Sequence, residues 1–230
     1  MTGTVEQNNR PPTSFVVIED DFCMGSQSIY DRLLGTALLS GAVWAGSSEA
    51  DHPGCIGLVD STTQYGGYRI MSDFNQFVIA GGEESTFVFW DDNTTTRATA
   101  SFKMGFMDST AIQTASVDAI EFVGSGGVLK GHCLSNSTET NTGSTYTMTE
   151  NVWYRGVITV NSNASLVTFT LYLCSTGAVV WTDTVATNIP TGSARVTGWG
   201  VIAGESSTDA AAIILMLDYH KLEIKRNLVR

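Results

Sequence analysis

The sequence is poor in proline, in closely spaced cysteines and in basic residues. It has 4 Pro, and its 12 Lys and Arg stand against 23 Asp and Glu, for a formal net charge of −11. A nucleic-acid backbone is bound by clustered Lys and Arg, which this chain lacks, so no nucleic-acid partner is expected. The cysteines are far apart and form no Cys-x-x-Cys, which argues against a zinc framework or a dense disulfide scaffold. We expect all four to be buried, reduced thiols: Cys23, Cys55, Cys133 and Cys174.

Long apolar runs are also missing. No apolar stretch follows Met1, so no secretory signal peptide is expected and synthesis is expected in the host cytoplasm. The longest apolar run, residues 210–217, has the length of a strand, so no membrane insertion is expected. The oxygen-rich turn 91–93 lacks the ligand spacing of a calcium loop, and neither a metal nor a cofactor is expected.

What the chain does have is typical of one folded β-domain. Hydrophobic residues make up 43% of the sequence and charged residues 15%, with 23 Gly and abundant Ser and Thr to form turns. Residues 1–13 are polar, without periodicity, and include Pro11 and Pro12, so we predict an extended N-terminal arm. Residues 14–230 are predicted to form a single β-sandwich domain.

Short segments rich in β-branched and aromatic residues recur between turn residues. Residues 86–90 are apolar on both faces, which predicts a central strand covered on both sides. Residues 97–107 alternate apolar and polar side chains, which predicts a half-buried strand, and residues 135–145 are predicted to be an exposed loop. Because no segment is convincingly helical, the fold class is predicted to be all-β, a two-sheet antiparallel β-sandwich or jelly roll. The predicted strands cover residues 14–19, 55–59, 68–71, 77–80, 86–90, 97–107, 115–124, 128–134, 153–160, 166–174, 179–182, 197–203 and 211–217.

A set of weak motifs in a particular order suggests a family. They are Asp20-Asp21-Phe22, His52-Pro53-Gly54, the segment from Asp118 to Phe122, Trp153-Tyr154, Val180-Trp181-Thr182 with residues 186–190, and Leu217-Asp218-Tyr219. In this order the chain resembles the concanavalin A-like lectin/glucanase β-sandwich, and more narrowly the non-enzymatic versions in tailed-phage virion structural proteins. The resemblance implies a decoration, fibre or tail subunit that contacts neighbouring capsid proteins or surface glycans.

Some proteins of the fold that this chain resembles are enzymes similar to family-16 glycoside hydrolases. These enzymes carry a strand of the form Glu-x-Asp-x-Glu-Phe-Leu-Gly. Its alternation brings three carboxylates to one face, where two of them cut a glycosidic bond. The matching positions here are Val117, Ala119 and Glu121, so one carboxylate of three is present. Asp118 is predicted to point to the opposite face and cannot supply the second. No catalytic residue is therefore assigned.

Carbohydrate binding usually relies on exposed aromatic rings beside polar hydrogen-bonding groups. Trp44, Tyr65 and Tyr68 lie in segments rich in Gly and Ser and are the candidate carbohydrate-binding residues. The other tryptophans lie in predicted strands and are expected in the core: Trp90, Trp153, Trp181 and Trp199. The three histidines (His52, His132 and His220) occur in no nucleophile motif and are expected at the surface or in turns.

These observations predict a non-enzymatic phage virion structural protein that decorates the capsid or forms part of a fibre or tail. Its expected partners are other virion proteins, further copies of itself in a homo-oligomer, and surface glycans. Its expected location is the virion, after synthesis in the host cytoplasm. A lectin-like carbohydrate or receptor-binding module is the alternative, and a glycoside hydrolase is the second alternative.

Overall fold

The protein is described by a computed structural model over residues 13–20, 35–39, 44–49, 52–59, 67–72, 76–91, 100–109, 111–205 and 213–227. Every regular element in these ranges is a strand, and within them no helix is long and apolar enough to cross a membrane. The strands are β1 (Thr13–Asp20), β2 (Gly35–Leu39), β3 (Trp44–Glu49), β4 (His52–Val59), β5 (Gly67–Met71), β6 (Phe77–Val78), β7 (Glu83–Asp91), β8 (Ala100–Met107), β9 (Ala119–Ser125), β10 (Val128–Ser135), β11 (Thr138–Asn141), β12 (Tyr146–Thr147), β13 (Trp153–Val160), β14 (Val167–Leu173), β15 (Val179–Val185), β16 (Val196–Glu205) and β17 (Ile213–Asn227).

The strands form two antiparallel sheets. An eight-stranded sheet has the order β15-β14-β13-β7-β17-β4-β3, with β1 paired to β17. A nine-stranded sheet has the order β11-β10-β9-β8-β16-β5-β2, with β12 and β6 paired to β10 and β16. The predicted all-β, two-sheet antiparallel sandwich is confirmed.

Hairpins follow the turn chemistry of the sequence. β13 and β14 pair in register from Tyr154 with Leu173 to Val160 with Val167. The Asn161 side chain closes this hairpin, because its Oδ1 accepts hydrogen bonds from the backbone N–H groups of Ser165 and Leu166. In β14 the alternate side chains Val167, Phe169 and Leu171 are buried, as the sequence pattern predicted.

The core lies between the sheets and is strongly aromatic. Its largest buried side chains include Phe87 and Phe89 from β7, Phe102 and Phe106 from β8, Phe122, Phe169 and Trp199. The indole N–H of Trp199 donates to Ser85 Oγ at 2.7 Å, so the buried ring leaves no polar atom unpaired. Trp181 and Trp199 are buried as predicted, whereas Trp90 and Trp153 are half-buried. Their rings lie outside this core with centroids 6.1 Å apart and planes tilted by 46°.

Three predictions about individual strands are wrong. The strand predicted over 115–124 begins only at Ala119, because residues 115–118 pair with no strand and belong to the irregular connection that precedes β9. β8 is buried on both faces, whereas the alternation of its sequence predicted burial on one face only. β7 is central, between β13 and β17, but only its inner face is fully buried.

A short strand, β11, lies inside the segment predicted to be an exposed loop. It pairs with β10 through a two-residue turn in which both Asn136 and Ser137 have positive φ. This is the backbone geometry that twists correctly for an antiparallel hairpin, and Asn tolerates it well. The turn residues were visible in the sequence, but β11 has too few apolar residues to be predicted as a strand.

The described cysteines carry no disulfide. Cys55 and Cys133 are buried, and Cys174 is half-buried. Burial, together with the nearby charge of Glu121, raises the pKa of the Cys133 thiol to about 12, so this thiol stays protonated and unreactive. Cys23 lies outside the described residues.

Candidate functional site

The outer face of the nine-stranded sheet carries polar side chains on three adjacent strands. Lys103 of β8 pairs with Val123 of β9, and Gly105 pairs with Glu121. Glu121 pairs on its other side with His132 of β10. Because directly paired residues project to the same face, Lys103, Glu121 and His132 share the surface that faces away from the inter-sheet core.

A segment of chain folds over the centre of this face. Residues 108–109 and 111–118, here called the capping segment, connect β8 to β9. Ile112 of this segment packs on a second apolar cluster, separate from the inter-sheet core, formed by Met71, Met107, Ala119, Leu134 and Ile202. Apolar burial therefore holds the capping segment on the sheet, and it explains why β8 is buried on both faces.

Hydrogen bonds define the shape of the capping segment. Asp108 Oδ1 accepts a bond of 2.8 Å from the N–H of Val117, and the Asp108 N–H donates to the Asp118 carbonyl. The Ser109 hydroxyl lies 2.7 Å from the Thr114 carbonyl oxygen and is itself buried. These contacts return the chain to the sheet at Asp118, so the segment is an ordered cover with both ends fixed.

A cavity of about 250 Å³ opens between the capping segment and the sheet. Lys103 lies in its wall, with an exposed fraction of 8%, and its ammonium donates to the Thr114 carbonyl at 2.9 Å. The hydroxyls of Ser101 and Ser125 are 3.1 Å apart. The complete lining is Ser101, Lys103, Ile112, Gln113, Val123, Ser125 and Gly204. The cavity thus combines an apolar floor with hydroxyl, amide and ammonium groups, a mixture suited to a small polar ligand.

Beside the cavity, Glu121 and His132 form a buried pair. Glu121 is 1% exposed, and its Oε1 lies 3.1 Å from His132 Nδ1. His132 Nε2 lies 3.2 Å from Glu139 Oε1 at the surface. The side-chain amide of Asn141 donates to Glu139, and this bond, with the charges of His132 and Lys130, holds the pKa of Glu139 below its usual value. The imidazole therefore fills the space between the two carboxylates.

The residues at and beside the positions of the glucanase motif are not brought together as an active site. Val117 is 44% exposed and belongs to the capping segment. Asp118 is buried in a structural role, since its Oδ1 accepts the N–H of Asn136 and lies 3.5 Å from Arg195 Nη1. Glu121 thus has no second carboxylate free to act with it across a sugar bond among the residues described here.

The predicted carbohydrate-binding residues fall largely outside what the structure describes. Tyr65 lies outside the described residues altogether. Trp44 begins β3 and Tyr68 lies in β5, but both side chains lie outside the described part of the protein. The backbone register places Trp44 opposite Leu58 and Tyr68 opposite Ala203. The carbohydrate-binding role of these three residues stays a prediction.

Sequence reasoning missed the residues around the cavity. Lys103 was one of the polar positions of an alternating strand, which the alternation alone places in solvent. The histidines were also placed wrongly, because His132 and His220 are buried and His52 is half-buried. His52 stacks on Trp153 with ring centroids 4.0 Å apart, and its Nδ1 lies 2.9 Å from Asp218 Oδ2. No local signal reveals such burial, because it depends on segments far apart in sequence.

Comparison with known proteins shows a family match and a shared fold. Residues 51–218, more than half of the chain, match the family model described as SO2946-like, C-terminal domain. A crystal structure of a protein of unknown function, SO2946 from Shewanella oneidensis MR-1, is similar with a TM-score of 0.75 and 21% identity, over 94% of this chain and 91% of that one. No curated protein matches this sequence.

Two further solved structures share the fold at lower identity. The CBM2 module of the evolved Dit of Lactobacillus casei BL23 phage J-1 has a TM-score of 0.58 and 13% identity, over 92% of this chain and 96% of that module. Peanut lectin, solved with a nine-residue peptide, has a TM-score of 0.58 and 10% identity, over 93% and 99% of the two chains. At these identities the likeness establishes the concanavalin A-like sandwich.

Proposed function

We propose that this chain, which belongs to the SO2946-like, C-terminal domain family, is a non-enzymatic carbohydrate-binding module. The observation that carries the proposal is the cavity of about 250 Å³ on the outer face of the nine-stranded sheet. Its Ser101 and Ser125 hydroxyls and its Gln113 amide can exchange hydrogen bonds with sugar hydroxyls. The ordered capping segment forms one wall in advance of binding, which lowers the entropy cost of holding a ligand.

The absence of catalysis is part of this proposal and rests on Glu121. A glycosidase acid must reach the glycosidic oxygen, but the Glu121 carboxylate is 1% exposed and contacts His132. We expect no turnover of any polysaccharide that binds. Turnover that Glu121→Gln abolishes, with folding intact, would instead assign a hydrolase.

A glycan array tests the binding function. The wild-type chain should bind a defined subset of saccharides reproducibly, and Ser125→Ala and Gln113→Ala should each weaken that binding several-fold. Ser175→Ala is the matched control, because Ser175 is an exposed turn residue far from the cavity in the sheet order. Blank arrays at high protein concentration, or equal binding by the cavity variants and the control, would contradict the proposal.

A second candidate function is decoration of a phage particle through protein contacts, as a homo-oligomer. Two observations favour it. The fold is shared with a module of a phage Dit protein, and β1 pairs with β17 and with no other described strand, so it is an edge strand in the described part of the sheet. Val17 of β1 is 48% exposed on this strand. An exposed apolar side chain on an edge strand suits contact with a neighbouring subunit. The two functions are compatible, since a virion subunit can also hold a surface glycan.

A further inference from the structure

Lys103 is a buried cation without a counter-ion in the described part of the protein. Its side chain lies in the cavity wall at 8% exposure, and its ammonium donates to the neutral carbonyl of Thr114. No carboxylate of the described residues lies within 4.0 Å of its ammonium, whereas Lys130, Lys221 and Lys225 all have one. Burying an ammonium opposite a neutral group costs free energy that a paired charge offsets.

The neighbouring acid does not supply that charge. Glu121 lies on the same face, two residues along β9 from Val123, the partner of Lys103, and its Oε1 contacts His132 Nδ1. The other groups around the cavity are the hydroxyls of Ser101 and Ser125 and the amide of Gln113, and none of these is charged. The ammonium has three N–H donors, of which one is directed to Thr114, so two remain for a ligand.

We infer that the saccharide held in this cavity is acidic, with a monoanionic group bound to the Lys103 ammonium and its hydroxyls bound to Ser101, Ser125 and Gln113. This inference rests on the proposed function and specifies its ligand class. A single ammonium matches a group of one negative charge, either the carboxylate of a uronic acid or the phosphodiester of a phosphate-linked polysaccharide. The cavity volume, about 250 Å³, is below the range for drug-sized ligands and suits one sugar residue.

The whole-molecule charge sharpens this inference. With a formal net charge of −11, the protein repels anions at long range, so non-specific attraction cannot explain any preference for an acidic saccharide. Salt screens the long-range repulsion more than it screens a partly buried ion pair. Binding of the acidic saccharide is therefore expected to persist, or to strengthen slightly, as the salt concentration rises.

Titration calorimetry with matched saccharides tests the inference on the full chain. One arm uses an oligosaccharide ending in glucuronate, and the second uses the same oligosaccharide with the carboxylate reduced to the alcohol. A third arm uses a glycerol-phosphodiester-linked oligosaccharide. The wild-type chain should bind at least one anionic ligand about tenfold or more tighter than the neutral one. The better anionic arm then identifies the chemical group.

Lys103 variants complete the experiment. Lys103→Met keeps the apolar stem and should bring the anionic and neutral ligands to equal affinity, whereas Lys103→Arg should retain the preference. Equal binding of all three ligands by the wild type, or a preference that survives in folded Lys103→Met, overturns the acidic class and leaves carbohydrate binding standing. Absence of binding in every arm overturns the acidic class, and together with a blank glycan array it overturns the proposed function itself. The wild-type comparison decides the class even where a variant fails to fold.

Discussion

Three glycines mark the positions where strands pack closely against aromatic rings. A Cβ built on Gly131 would lie 2.4 Å from the ring of Phe169 in the opposite sheet, and one on Gly156 would lie 3.0 Å from Phe122. A Cβ on Gly124 would lie 2.2 Å from Phe102 on the neighbouring strand. The missing side chains therefore make room for the large aromatic residues of the core.

Gly131→Ala should destabilise the fold. The added methyl group meets a buried ring, and overpacking of this kind costs about 1–3 kcal/mol of unfolding free energy. Gly143→Ala is the control, because its Cβ would meet only Asp183 Oδ2, at 3.9 Å. Urea denaturation measures both variants, and the control should change by less than about 0.5 kcal/mol. Equal stability of the two variants would show that Phe169 moves aside without cost.

His220 should make stability depend on pH. Burial lowers the pKa of His220 from 6.5 to about 3, and its ring packs 4.8 Å from that of Trp199. The His220 imidazole takes up a proton near pH 6.5 in the unfolded chain but stays neutral in the folded chain. The stability that neutral His220 gives the fold is therefore fully present above pH 6.5 and is lost as the pH falls toward 3.

The change to measure is the slope of unfolding free energy against pH between 6 and 4. Each pH unit in this window removes on the order of 1 kcal/mol through His220. His220→Gln should reduce the slope by that amount, while His52→Gln serves as a control for a half-buried histidine. An unchanged slope in folded His220→Gln would show that His220 is protonated in the native state.

At the scale of the element, the capping segment decides what the outer face can do. Without it, Lys103 would be a solvated lysine on a half-buried strand, and Met107 and Ile202 would be exposed. With Ile112 packed on that apolar cluster, the same residues become the floor and wall of a cavity. A segment without regular structure thus covers part of a sheet face and encloses a cavity there.

Ser109→Ala should loosen the capping segment without removing any group from the cavity wall. The variant removes the hydroxyl that contacts the Thr114 carbonyl, at a cost of about 1 kcal/mol. We expect faster hydrogen exchange at the Val117 amide and a few-fold weaker binding of the saccharide, with its order of preference among ligands unchanged. Unchanged exchange at Val117 would show that Asp108 alone holds the segment.

At the scale of the whole molecule, β17 joins both ends of the chain. It pairs with β7 on one edge, and with β4 and then β1 on the other. Residues 220–227 lie opposite residues 20–13, so the basic end of the chain is part of the sheet as far as Asn227.

Deletion of residues 1–12 should leave the sandwich intact, because β1 begins at Thr13. Its unfolding free energy should stay within about 0.5 kcal/mol of the full chain, while its co-sedimentation with phage particles falls. Deletion of residues 1–20 is the contrasting variant, because it removes β1 and exposes the edge of β17, so it should lower stability and promote self-association. Undiminished particle binding after the shorter deletion would exclude the N-terminal arm as the contact.

The parts of the fold that were predictable are those controlled by neighbours in sequence. The β13–β14 hairpin was correct because Asn161 closes its own turn and the alternation from Val167 to Leu171 matches one buried face. The sequence also showed that the glucanase motif is incomplete, since Val117 and Ala119 occupy two of its three carboxylate positions. The burial of Lys103 and His132 was not predictable, because the residues that cover them lie on other elements.

The sequence by itself determined the all-β class, most of the strand positions and the absence of a complete glucanase motif. These follow from two-residue alternation, turn chemistry and residue identity, which act over a few positions of the chain. Tertiary structure alone decided the order of strands in each sheet, the cover over the outer face and the buried charge of Lys103. Those features depend on contacts between distant segments, whose free energy exists only once the two sheets and the capping segment have come together.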